Sequence, residues 1–97
     1  MYKRQIKDIP ESAKLIAKGL DFGYTNDPTA LVETFIEGDN MYVNELLYRT
    51  GMTNQDIAKE FQKINIDRRD EVFADSAEPK SIEEIYRMGW NIKPTLK

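Results

Sequence analysis

The 97-residue sequence contains no cysteine and no histidine. Without cysteine there is no disulfide and no thiolate zinc site, and without histidine the commonest general base and the commonest transition-metal ligand are missing. Any chemistry must run on carboxylates, lysines or hydroxyls. Long apolar runs are missing too: nothing approaches the roughly 20 residues of a membrane-spanning helix, and Met1-Tyr2-Lys3-Arg4-Gln5 lacks the apolar core of a secretory signal. The expectation is a cytoplasmic protein with no membrane partner. A net charge of −3 gives no large excess of either sign, so composition alone neither advertises nor excludes nucleic acid. With 40% hydrophobic residues, this length suits one small domain with little core to spare.

What is present reads as strands first and helices later. Residues 1–13 mix Lys, Arg, Asp and Glu without periodicity and read as a tail or interdomain linker ahead of a domain over 14–97. Leu15 to Phe22 is apolar apart from Lys18, Gly19 and Asp21, which fits a strand buried on both faces. A turn at Thr25-Asn26-Asp27-Pro28 leads to a second strand from Ala30 to Ile36, and Gly38-Asp39-Asn40 to a third from Met41 to Tyr48. Such short connections predict an antiparallel meander. After Thr53 the period changes: Ile57, Ala58, Phe61 and Ile64 mark one side of a helix, with Thr53 and Asp56 as a cap pair. Glu71 to Ala74 is strand-like and ends at Asp75. A second helix starts at Pro79, carries Ile82, Ile85 and Tyr86, and stops at Gly89, with a last short strand from Trp90 to Ile92. The order β-β-β-α-β-α-β predicts an α/β mixed sheet with both helices on one face, because right-handed crossovers advance in one direction. The other face is expected to expose enough apolar surface for self-association.

That topology brings two aspartates together. A right-handed crossover from the third strand can place the fourth beside the first and parallel to it, so that Asp21 and Asp75 end at the same edge. Ligand sites in such sheets gather at the carboxyl ends of strands, and two carboxylates a few Å apart repel unless a proton or a cation lies between them. Hard oxygen donors suit Mg²⁺ or Mn²⁺. A purely structural role competes for each residue. Asp21 alone could end a strand, and Asp75-Ser76 could cap the next helix. Asp27 reads as a turn residue, Glu45 as one half of a cross-strand charge pair, and Arg68-Arg69 beside Asp67 and Asp70 as a solvated loop. Glu78 and Lys80 belong to the start of the second helix, within sequence reach of a ligand at Asp75.

Three blocks in order, GLDFGYTNDPTALV, YVNELLYRTGMTNQDIA and FADSAEPKSIEEIYRMGWNI, resemble the nuclease domain of tailed-phage terminase large subunits, from about Ile9 onward. The resemblance implies a ribonuclease H-like fold and a metal-dependent DNA endonuclease, with Asp21 and Asp75 matching its first two acidic ligands. It further implies double-stranded DNA as substrate, and the portal and the small terminase subunit as partners of the full-length protein. The family's nuclease continues with further sheet and a helix carrying a third acidic ligand, and its packaging ATPase has a phosphate loop that this sequence lacks. The chain therefore reads as a fragment, truncated before the C-terminal helix and inactive or weak by itself. Two other classes stay open. Asp21-Phe22-Gly23-Tyr24-Thr25 fits the D-x-G-x-[ST] phosphate loop of actin-like and sugar-kinase ATPases, which would predict nucleotide binding, although those proteins need a second lobe. A non-catalytic interaction remnant is the other. Asp-Phe-Gly as a protein-kinase signature fails, since no His-Arg-Asp loop precedes it.

Overall fold

The computed structural model describes the backbone of residues 2–3, and residues 9–23 and 26–95 in full. Its elements are β1 (Tyr2–Lys3), β2 (Lys14–Asp21), β3 (Thr29–Glu37), β4 (Asn40–Arg49), α1 (Asn54–Lys63), β5 (Val72–Ala74), α2 (Pro79–Arg87) and β6 (Ile92–Pro94). They form an α/β fold in which a mixed six-stranded sheet runs in the order β1-β4-β3-β2-β5-β6. Strands β2, β3 and β4 make the expected antiparallel meander, while β5 joins β2, and β6 joins β5, in parallel. The tail reading of residues 1–13 needs one amendment, because Tyr2–Lys3 adds a short strand parallel to β4.

Local chemistry explains where the helices start and stop. Thr53 caps α1 in the anticipated reciprocal box: its hydroxyl accepts from the Asp56 amide at 3.1 Å, and Asp56 Oδ2 accepts from the Thr53 amide at 3.0 Å. At the far end the Asn65 amide donates to Gln62 O and the Ile66 amide to Phe61 O, with Asn65 in the left-handed region at φ 62°. That is a Schellman motif, closed by buried Ile66 near Phe61. Helix α2 opens with Pro79 at its start and ends before Gly89, whose φ of +99° suits a residue without a side chain.

Both helices cover one face of the sheet. Ile57, Ala58 and Phe61 from α1 and Ile82 and Ile85 from α2 share a single core with Leu20, Leu31, Leu47, Val72, Ala74 and Ile92. Asn54 ties the helices together, donating to Ser81 Oγ at 3.2 Å and Glu84 Oε1 at 2.7 Å. By strand alternation Ala17, Gly19, Val32, Thr34 and Phe73 fall on the other face, where they are half-buried.

Two expectations are corrected. The first half of β2 is not buried on both faces: Leu15 is 46% and Ile16 53% exposed. The cause is length, since β5 has only three residues and pairs with Lys18 to Leu20, leaving the earlier part of β2 to overhang with a bulge at Ile16. The last strand begins at Ile92 rather than Trp90. Trp90 instead turns into the core, 3% exposed, with its ring edge-on to Phe61 at 5.2 Å.

Candidate functional site at the carboxyl edge of β2 and β5

Leu20 and Ala74 are partners in the parallel ladder and both point into the core. Asp21 ends β2 and Asp75 directly follows β5, so the two residues stand at the same carboxyl edge of the sheet, with Asp21 on the face away from the helices by alternation with Leu20. Neighbouring strands lie about 4.8 Å apart. Both aspartates are exposed, and among the described residues neither forms a salt bridge. The parallel pairing of β2 with β5 is the one that a right-handed crossover predicts.

The surrounding loops are held by backbone bonds. After Asp21, the Gly23 amide donates to the buried Thr29 hydroxyl at 3.0 Å and the Asp27 amide to Gly23 O at 3.2 Å, so Asn26-Asp27-Pro28 is the turn that the sequence suggested. Tyr24 and Thr25 lie outside the described residues. After Asp75, its Oδ1 accepts from the Ala77 amide at 3.0 Å and its carbonyl from the Glu78 amide at 3.1 Å. The side chain thus closes a turn ahead of α2 rather than capping it as the sequence suggested, since the N-cap residue is Glu78. One carboxylate oxygen of Asp75 has no part in that turn bond. Lys80 is exposed on the first turn of α2.

Among the described residues no group of three or more His, Cys, Asp or Glu side chains is arranged to hold a metal ion. The edge therefore offers two hard carboxylates, with water to complete any coordination shell. That set fits a weakly held Mg²⁺ or Mn²⁺, which keeps several waters. Glu45 lies opposite Val32 in the β3–β4 ladder.

A second polar group escaped the sequence reading. Lys18, 5% exposed, lies on the helix side of β2 with its Nζ 3.0 Å from Asp70 Oδ2 and 3.6 Å from Glu33 Oε2, and Asn44 Nδ2 donates to Glu33 Oε1 at 3.1 Å. The usable signal was its position two residues before Leu20 in an apolar strand, which puts both on one face. The Arg68-Arg69 loop also divides. Arg69 pairs with Asp67 at 3.3 Å, and the hydrogen bonds from its side chain and backbone hold the Asp67 carboxyl below its usual range. Arg68 is instead laid over the Trp90 ring, 4.2 Å from its centroid, and donates to Met88 O at 2.9 Å. Comparison with protein-family models, with curated proteins and with solved structures returns no match to this chain.

Proposed function

We propose that the chain is part of a ribonuclease H-like, metal-dependent DNA endonuclease of the tailed-phage terminase large subunit kind, with Asp21 and Asp75 as its metal ligands. One observation carries the reading: two exposed carboxylates, in no salt bridge among the described residues, stand at the ends of adjacent parallel strands, at the edge where such sheets bind ligands. When bound there, a divalent cation supplies charge neutralisation at a phosphodiester and an acidified water.

The chain's own residues do the positioning. Asp21 offers its carboxylate from the end of a strand whose direction is fixed by pairing on both sides. Asp75 is oriented by the Ala77 amide on Oδ1, which aims the carboxylate without consuming it. Because both side chains are exposed, a phosphate backbone can approach without opening the core. Two carboxylates and water form an incomplete shell, so affinity in the millimolar range is expected.

Titration with Mn²⁺, read as paramagnetic broadening of amide signals, tests the site. Broadening should centre on Asp21 and Asp75 and vanish in Asp75→Asn, a variant that keeps the oxygen accepting from Ala77. Incubation with plasmid DNA and Mn²⁺ then asks whether the bound ion cuts. Broadening spread over all surface carboxylates, or unchanged in the variant, would remove the assignment.

A further inference from the structure

At the other end of α2 the surface has a different character. Two shallow grooves, of about 460 and 250 Å³, run along either side of Arg68. The first is lined by Arg68, Arg87, Tyr86 and Asn91 among others, and the second by Arg68, Lys59 and Gln62 among others. The three cations Arg68, Arg87 and Lys59 face these grooves and no carboxylate lines either, in a chain whose net charge is −3. Two carboxylates temper that charge: Glu83 accepts from Arg87 Nε at 2.6 Å from one turn back on α2, and Asp56 interacts electrostatically with Lys59.

Flat groups accompany the charges. Arg68 Cζ lies 4.2 Å from the centroid of the Trp90 ring, and the exposed guanidinium is open to a further ring. Gly89 makes this possible, since a Cβ there would meet Arg68 Nη1 at 2.4 Å. Tyr86 is 59% exposed on the same groove. The Gln62 amide, and the Asn91 amide beyond its own bond to Arg69 O at 2.9 Å, add donors and acceptors of the kind that meet base edges.

From this combination we infer that the grooves around Arg68 form a binding surface for single-stranded nucleic acid, with Arg87 and Lys59 on phosphates and Tyr86 and Arg68 beneath bases. An acidic peptide would use the cations but has no need of exposed stacking planes, so the flat groups favour bases. The surface is separate from the carboxylate pair: α2 spans nine residues, about 13 Å at 1.5 Å per residue, and leads away from Asp75. It does not rest on the metal reading.

Fluorescence anisotropy with labelled oligothymidylate, in the presence of a chelator, tests it. Two phosphate contacts predict a slope of log K against log salt of about −1.4. The double variant Lys59→Glu, Arg87→Glu should weaken binding at least about tenfold and flatten that slope. Tyr86→Ala should weaken it about fivefold or more with the slope unchanged, since stacking carries no charge. All three side chains are exposed, and an unchanged thermal midpoint verifies the fold of each variant. No binding by the folded wild type, binding indifferent to these substitutions, or equal affinity for polyglutamate would overturn the inference.

Discussion

Acidic side chains gather at both ends of the parallel ladder between β2 and β5, and the two ends treat them in opposite ways. At the amino end Asp70 and Glu33 converge on Lys18, which is 5% exposed, and Asn44 occupies a further Glu33 oxygen. At the carboxyl end Asp21 and Asp75 are exposed and make no salt bridge among the described residues. Charges that lose water need partners placed by the fold, whereas charges left in water are available to something from outside. The contrast separates acids that build the protein from acids free to bind.

The largest expected effect comes from removing the counter-charge at the amino end. Lys18→Ala leaves Asp70 and Glu33 facing each other, and losing one partner of a buried pair costs about 3–5 kcal/mol. Because the Asp70 side chain is 43% exposed, the lower end of that range applies. Chemical denaturation would measure it, and Lys18→Met, which keeps the volume, should cost clearly less. A loss no greater than that of Asp21→Asn would erase the distinction between the ends.

Next in size is Asp75→Ala, which removes the acceptor of the Ala77 amide and should cost about 1 kcal/mol, while Asp75→Asn should cost little. Equal midpoints for the two variants in urea would show that the turn bond contributes nothing. Asp21→Asn should raise stability slightly, by less than about 1 kcal/mol, because it removes one of two like charges at the ends of neighbouring strands, whose repulsion in water is weak. The gain should shrink with added salt, and a clear loss of stability would place Asp21 among the acids that build the fold.

The smallest effect is a pH dependence at the α1 cap. The backbone hydrogen bond from Thr53 lowers the Asp56 pKa below its ordinary 3.8. Since the folded value is the lower one, the stabilisation is fully present above the unfolded pKa and is lost as pH falls through the folded value. Stability curves taken below pH about 4 should therefore fall less steeply in Asp56→Asn than in the wild type.

Much of the fold was legible because its signals are local. Thr53 and Asp56 lie three residues apart, Pro79 and Gly89 bracket one helix, and alternating residues placed the meander; each depends on backbone chemistry within a few positions. The pairing of β2 with β5 was also readable, since crossover handedness leaves few options. What failed depended on distant chain. Lys18 and Asp70 meet across 52 positions, and nothing near either residue states which cation answers which acid. The exposure of Leu15 and Ile16 follows from β5 being short, and Trp90 was given to a strand because its burial comes from Phe61 on another element. At the candidate site the sequence named both aspartates, but not the turn bond that already engages Asp75.

The glycine after Asp21-Phe22 invites one more conclusion. In a phosphate loop a glycine clears a space that an anion then fills. Around Gly23 that space belongs to the chain itself: a Cβ would lie 2.2 Å from Asp27 O and 2.3 Å from Pro28 O. The chain's own carbonyls fill the room a side chain would need, so the glycine is demanded by the fold of this segment whether or not an anion ever visits it. Gly23 lets the chain double back onto itself.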